Sequence, residues 1–192
     1  MILPIRAFGD PVLRKTGRDI DKDYPELQTL IVNMFETMNE ANGIGLAAPQ
    51  IGLDIRLFIV DASPLAEDED YAEIADELKT FKKVFINAKI LEESGEEWKF
   101  NEGCLSIPDV REDVKRKETI LIEYYDENFV KHTESYSDIR ARIIQHEYDH
   151  IEGILFTDHL SALKKKLVKG KLNKISQGEI SVGYKMRFFE TN

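Results

Sequence analysis

One stretch of the chain repeats apolar side chains at the spacing of an α-helix. Between residues 25 and 41 they recur every three or four positions, at Leu27, Leu30, Ile31, Met34, Phe35 and Met38. This spacing places them along one stripe of a helix, which predicts that the stripe packs into the core. Pro25 suits the first turn, and Asn42-Gly43 suits the end of the helix.

Other segments show the patterns of β-strands and of two further helices. Four segments alternate or run apolar as strands do, namely 55–60, 83–89, 97–101 and 119–125. Asp126-Glu127-Asn128 is predicted to turn the last of these into a hairpin with residues 129–136. Helices are predicted from about Ser137 and over residues 161–175.

These elements predict one α+β domain over residues 1–192. The strands and helices are segregated along the chain, which favours antiparallel or mixed sheets packed around a central helix. Residues 61–79 are rich in acids and are predicted to be solvated, as a loop or a short exposed helix. Residues 160–192 are predicted as a C-terminal helix and tail.

Composition narrows the functional classes. The chain has 26 basic and 36 acidic residues and a net charge of −10, which disfavours nonspecific binding to DNA and to anionic membranes. It has a single cysteine, so an intrachain disulfide is impossible, as suits a reducing compartment. No leader pattern or long apolar run is present, and we expect a soluble, cytoplasmic protein.

Residues 145–150 carry the strongest chemical pattern. Their sequence, Gln-His-Glu-Tyr-Asp-His, holds two histidines four residues apart with a glutamate after the first. On a helix, His146 and His150 share one face, so both imidazoles can reach one metal ion. Glu147 can then act on a water molecule at the site without binding the metal. The alternative is a pair of core histidines bonded to backbone carbonyls.

The surrounding residues favour a buried helix at this motif. Ile139 and Ile143 fall on the same face as the histidines, which predicts that this face is buried. Ser137 is predicted to cap the helix N-terminus, and Gly153 is predicted to end the helix. Imidazoles on such a face need polar partners.

The histidine motif does not identify the third residue that would bind the metal. Phe156 stands where metzincin proteases place a third histidine, so that class is excluded. A gluzincin protease would use a downstream glutamate, for which Glu179 is the candidate. Cys104 is the other candidate, because a thiolate binds transition metals well. A lone cysteine is also often just a small buried side chain.

Three segments together resemble the peptide deformylase family. They are residues 43–50 (Gly-Ile-Gly-Leu-Ala-Ala-Pro-Gln), residues 102–106 (Glu-Gly-Cys-Leu-Ser) and the histidine motif at 145–150. They occur in the family's order, and the resemblance extends from about Phe8 to Asp158. By the same resemblance, the acidic stretch at 61–79 is an acidic loop insertion, at a loop that varies across the family. It implies a metallo-hydrolase that removes the N-terminal formyl group from formyl-methionyl nascent peptides and releases formate.

The resemblance also implies a role for each site residue. Cys104, His146 and His150 would bind the metal, and a metal-bound water would attack the formyl carbon. Glu147 would act as the general base and then as the general acid. The side-chain amide of Gln50 and the backbone N–H of Leu105 would stabilise the oxyanion.

An apolar pocket must accept the methionine side chain of such a substrate. Ile44 and Gly45 would also bond the peptide main chain as an added strand. The predicted substrate-binding residues are Ile44, Gly45, Phe100, Glu102, Gly103, Arg111, Ile139 and Ile143. Arg111 is placed by the resemblance where the peptide enters, although a plain surface charge is equally consistent. Arg142 either points to solvent or pairs with an acid such as Glu102, and Asp149 either orients a neighbouring group or lies on the surface.

The resemblance further implies one divalent metal ion, with Fe²⁺ as the native ion and Zn²⁺, Ni²⁺ or Co²⁺ as possible occupants. The expected partner is the formylmethionyl peptide, acted on by a monomer, with the ribosome surface near the exit tunnel as a further candidate. The lysine cluster at 164–174 could contact ribosomal RNA or form a solvated helix face. A zinc endopeptidase and a non-catalytic metal-binding protein are the rival hypotheses.

Overall fold

A computed structural model describes residues 1–189 of the chain. It contains four α-helices in these residues: α1 (Leu27–Glu40), α2 (Ala75–Lys79), α3 (Asp138–Ile151) and α4 (Ala162–Ser176). The strands are β1 (Ile5–Arg6), β2 (Gly45–Ala47), β3 (Leu57–Asp61), β4 (Lys82–Cys104), β5 (Ile107–Tyr125), β6 (Lys131–Tyr136) and β7 (Met186–Arg187). The predicted α+β fold is confirmed.

Five of the strands form one antiparallel sheet in the order β2-β3-β4-β5-β6. The prediction of two separate strands at 83–89 and 97–101 was wrong, because both segments belong to the single long strand β4. Three register shifts interrupt its pairing with β5 before residue 98, and these irregularities break the alternation of side chains that defines a strand in sequence. The predicted hairpin at 126–128 is confirmed by the pairing of β5 with β6.

Helix α3 covers one face of this sheet and carries the histidine motif. Apolar residues of the sheet and of α3 form one core cluster, which includes Phe58, Phe85, Ile122, Ile139 and Ile144. Ser137 occupies the N-cap position as predicted, but its side chain makes no cap hydrogen bond. The Asp138 carboxylate instead accepts a hydrogen bond from the Arg140 N–H at 2.9 Å.

Helix α1 packs its predicted apolar stripe against β2 and β3. Leu27, Ile31, Met34 and Met38 are buried in a second cluster there. Pro25 lies outside the first turn, contrary to the prediction. Glu26, which follows it, has a left-handed backbone (φ 55°) through which a right-handed helix cannot continue, so α1 begins at Leu27.

The two ends of the described chain meet in a small parallel sheet. Ile5 pairs with Met186, and Arg6 pairs with Arg187. A third apolar cluster lies beside this sheet, under α4 and the turn between β4 and β5, and includes Ile107, Val110, Phe156, Val168 and Ile175. The C-terminal segment is therefore attached to the N-terminal segment near that turn.

The acidic segment 61–79 has more structure than a solvated loop. It forms two 3₁₀ segments, Ser63–Glu67 and Glu69–Ile74, followed by α2. Its acids at 67–70 face solvent, but Leu78 is buried and Leu65 and Tyr71 pack against the sheet–α3 cluster. In residues 1–189, no helix is both long enough and apolar enough to cross a membrane.

Candidate active site

The two histidines of α3 meet the cysteine of the β4–β5 turn. His146 and His150 lie one helical turn apart with ring centroids 5.2 Å from each other. Cys104 is the last residue of β4, and its Sγ lies 3.3 Å from His150 Nε2. One ligand atom from each of the three residues lies within 4.8 Å of the others. Within residues 1–189 this is the one such cluster, and Glu179 is exposed and outside it.

The chemistry of these three side chains fits a divalent transition metal. Thiolate and imidazole together suit zinc, iron, cobalt or nickel. Burial alone would raise the pKa of the Cys104 thiol, but the charge of His150 and hydrogen bonds with both imidazoles lower it to about 5. Since the thiolate is the form that binds metals, the cysteine is prepared as a ligand.

Glu102 holds His146 in place from behind. Its Oε2 accepts a hydrogen bond from His146 Nδ1 at 2.9 Å. Burial would raise the pKa of the Glu102 carboxyl, but the hydrogen bond with His146 and the ion pair with Arg116 hold it well below its ordinary value. The carboxylate is therefore ionised and orients the imidazole for metal binding.

Two buried arginines neutralise this carboxylate. Arg116 donates to Glu102 at 2.8 and 3.0 Å, and Arg142 donates to it at 3.0 Å. Arg142 is 1% exposed and its guanidinium stacks on Trp98, so of its two predicted orientations the pairing with Glu102 is correct. Asp149 accepts from Arg116 at 2.8 Å and pairs with His159 at 2.7 Å, so it orients neighbouring groups and is not an isolated surface acid.

Glu147 points away from this network and lies against β2. Its side chain is buried, and its Oε2 has no hydrogen-bond partner among residues 1–189. Burial raises the pKa of Glu147 to about 7, against the opposing charges of His146 and His150. A Cβ on Gly45 would overlap this carboxylate, so only glycine leaves room for it.

Gln50 and Leu105 border the same centre. Gln50 Oε1 accepts a hydrogen bond from the Ala47 N–H at 2.8 Å, which fixes the orientation of the amide. Its Nε2 then faces Cys104 Sγ at 3.5 Å and Ser106 Oγ at 3.3 Å. Leu105 follows Cys104 in the turn, so a side-chain donor and a backbone N–H adjoin the candidate metal site.

A cavity of about 580 Å³ opens on this centre. All eight residues predicted to bind substrate line it: Ile44, Gly45, Phe100, Glu102, Gly103, Arg111, Ile139 and Ile143. Arg111 is exposed, and its guanidinium donates to the Asn101 side chain at 3.0 Å and to the Asn101 carbonyl at 2.6 Å, at the edge of the cavity. The sequence reasoning missed Leu65, Tyr71 and Tyr184, which also line the cavity. They come from the acidic segment and the C-terminal segment, which carry no motif.

The family model described as polypeptide deformylase matches residues 2–166 of the chain. The chain belongs to the peptide deformylase family. It is 64% identical over 189 residues to the peptide deformylase of Christiangramia forsetii, covering 98% of this chain and 96% of that one. It is 59% identical to the Flavobacterium johnsoniae peptide deformylase, again covering 98% of this chain and 96% of that one.

Solved peptide deformylases have the same fold. The Plasmodium falciparum structure superposes with a TM-score of 0.79 at 34% identity, covering 91% of this chain and 95% of that one. The Legionella pneumophila structure superposes with a TM-score of 0.78 at 35% identity, covering 93% of this chain and 98% of that one. The predictions of a hydrolase of this family and of a role in protein biosynthesis are confirmed, whereas the rival endopeptidase and non-catalytic hypotheses gain no support.

Proposed function

We propose that this deformylase hydrolyses the formyl amide at the N-terminus of formyl-methionyl peptides and releases formate. One observation carries the proposal: Cys104, His146 and His150 converge beside the buried Glu147 at the wall of a peptide-sized cavity. A divalent ion held by the three would supply Lewis-acid chemistry, polarising a carbonyl and lowering the pKa of a water molecule.

Glu147 moves the protons in this proposal. Burial raises the pKa of its carboxyl above the ordinary value, which suits it to take a proton from the attacking water and to return one to the leaving amine. It is held against Gly45 and its Oε2 lacks a partner among the described residues, so one oxygen is free to exchange protons.

Gln50 and Leu105 stabilise the negative charge that develops on the formyl oxygen. Gln50 Nε2 is aimed at the centre because its Oε1 is held by the Ala47 N–H. The Leu105 N–H follows the cysteine ligand in the turn. Donors fixed in advance act strongly because they need no reorganisation during the reaction.

The cavity walls hold the peptide. Phe100, Ile139 and Ile143 provide apolar surface for the methionine side chain, together with Ile44. The backbone of Ile44 and Gly45 lies at the edge of the five-stranded sheet, where a peptide can add as a further strand. Glu102, Gly103 and Arg111 line the same cavity and complete the proposed peptide-binding surface.

We propose Fe²⁺ as the native ion, with Zn²⁺, Ni²⁺ and Co²⁺ able to replace it. The donor set alone suits all four. Protein purified under nitrogen should contain iron by elemental analysis and should lose activity in air, since both a ferrous ion and the Cys104 thiolate are oxidisable. Equal half-lives in air and under nitrogen would contradict iron as the native metal.

We propose that the enzyme acts in the cytoplasm as a monomer on nascent chains, through one catalytic domain. Helix α4 carries lysines at 164, 165, 166, 169, 171 and 174 and is the candidate surface for ribosomal RNA. The alternative is a solvated face, and Lys164 is already paired with Glu112 at 2.8 Å. If the protein co-sediments with ribosomes and this is lost when these lysines are changed to glutamine, the result would support binding to ribosomal RNA.

The deciding experiment measures formate release from a formyl-Met peptide under anaerobic conditions, with elemental analysis of the same sample. The acetyl-Met peptide and an internal peptide bond serve as controls. We expect formate from the formyl peptide alone. Cleavage of the internal bond without formate would instead support an endopeptidase, and no hydrolysis by metal-loaded protein would overturn the proposal.

A further inference from the structure

The C-terminal segment contributes to the cavity although the family match ends before it. The matched region stops at residue 166, and Tyr184 lies beyond it. Tyr184 nevertheless lines the cavity together with Gly43, Cys104 and Leu105. Its side chain also packs in the same apolar cluster as Leu105. The segment after α4 is thus part of the wall of the candidate active site.

The Tyr184 hydroxyl bonds directly to the turn that carries the cysteine. It donates a hydrogen bond to the Leu105 carbonyl oxygen at 2.7 Å. The next residue of the turn is held from the other chain end, because the Phe8 N–H donates to the Ser106 carbonyl at 2.8 Å. The turn is therefore fixed by residues from both ends of the described chain.

The position of Tyr184 is itself well determined. The adjacent Lys185 carbonyl accepts a hydrogen bond from Ile5 N–H at 2.9 Å, and Met186 and Phe188 pack against the third cluster. Burial raises the pKa of the Tyr184 hydroxyl well above its ordinary value, and the charges of Cys104 and Asp109 raise it further. The hydroxyl thus keeps its proton and remains a donor.

We propose that Tyr184 is a positioning residue for deformylation, and this inference rests on the proposed function. Its hydroxyl holds the Leu105–Ser106 peptide group, and this restrains the adjoining Cys104–Leu105 peptide group, whose N–H then meets the developing charge on the substrate. Its ring closes one wall of the cavity over the bound peptide. The segment after α4 therefore completes the active site.

Two substitutions separate these roles. Tyr184→Phe removes the hydroxyl and keeps the ring, so we expect kcat to fall about tenfold with KM within twofold, because the lost interaction acts in the transition state. Tyr184→Leu also removes the ring, and we expect KM for the formyl-Met peptide to rise in addition. Tyr24→Phe is the matched control, since Tyr24 does not line the cavity, and we expect no change.

Hydrogen–deuterium exchange of the 103–108 segment provides a measurement independent of turnover. We expect faster exchange in Tyr184→Phe than in the parent, with unchanged metal content. Unchanged exchange, a kcat within twofold of the parent, or a parallel loss of metal and activity would each overturn the inference. If the parent protein releases no formate, the proposed function fails, and the exchange data still decide whether Tyr184 holds the turn.

Discussion

His146 Nδ1 donates a hydrogen bond to Glu102 Oε2 across 2.9 Å, and this contact determines which nitrogen of His146 can bind a metal. Glu102 is ionised beside Arg116 and Arg142, so it can only accept, and the proton must sit on Nδ1. Nε2 is therefore the ring nitrogen that would give up its proton and bind a metal ion. Glu102 therefore acts on the site without touching the substrate's reacting atoms.

Glu102→Ala should weaken both metal binding and folding. The loss of the partner of His146 should lower metal affinity about 10- to 100-fold. It also leaves Arg116 and Arg142 as buried charges without this carboxylate, which should cost about 3–5 kcal/mol of unfolding free energy. Metal titration and urea unfolding measure the two effects.

Glu112→Ala is the control for this substitution. Glu112 pairs with Lys164 at the surface, so its removal should cost at most about 1 kcal/mol and leave metal binding unchanged. Equal effects of the two substitutions on metal affinity would show that Glu102 does not orient His146.

Glu147→Gln should abolish most of the activity and keep the metal. The amide is nearly the same size as the carboxylate but cannot exchange protons, so we expect kcat to fall about 10²- to 10⁴-fold. Steady-state kinetics and metal analysis of the same preparation test this. A variant within fivefold of the parent would remove Glu147 from its proposed role.

Gly45→Ala should impair the site through a steric effect. The added Cβ would meet the Glu147 side chain, with Cγ at 2.8 Å and Cδ at 2.7 Å, and would displace the carboxylate. We expect a loss of kcat of at least tenfold with little change in metal content. Gly170→Ala, in α4, has no atom within 4 Å of its new Cβ and should raise stability by about 0.5–1 kcal/mol with full activity.

Glu134 on β6 should make the free energy of unfolding depend on pH, because it is bonded to three neighbouring side chains of the sheet. Burial would raise the pKa of Glu134, but hydrogen bonds from Tyr124 and Tyr136 and the ion pair with Lys83 lower it to about 2. The folded state therefore favours the ionised form. This contribution is complete above pH 4.5, the ordinary value, and is lost as the pH falls from there to about 2.

Urea unfolding of Glu134→Gln and the parent at several pH values tests this expectation. The parent should be more stable at pH 6, and the difference should narrow between pH 4.5 and 2. Tyr136→Phe removes one of the donors to Glu134 and should show a smaller pH dependence than the parent. A constant difference between the parent and Glu134→Gln across this range would contradict the account.

Local patterns in the chain predicted the helices well. The apolar stripe of α1 and the i, i+4 histidines of α3 depend only on the helical repeat, which neighbouring residues define. The long β4–β5 hairpin was harder, because its register shifts interrupt the two-residue period by which a strand is recognised. The sequence of residues 61–79 predicts a solvated segment, because its acidic residues outnumber the few apolar residues that face the core.

In the candidate site, too, some residues follow from local patterns and others only from tertiary contacts. The histidine motif and its glutamate follow from spacing, and the resemblance of three segments to a family supplied Cys104, Gln50 and Leu105. The sequence could not decide the partner of Arg142, because Glu102 reaches it only when β4 packs on α3. It gave no sign of Tyr184, whose contact with Leu105 joins residues far apart in the chain.

The sequence by itself determined the chemical groups and the helix that presents two of them, since these depend on residue type and on short-range geometry. Only the tertiary structure decided which groups meet, because contacts between distant segments depend on how the sheet, α3 and the two chain ends pack together. The ionised state of Glu102, the raised pKa of Glu147 and the wall formed by Tyr184 all arise from that packing.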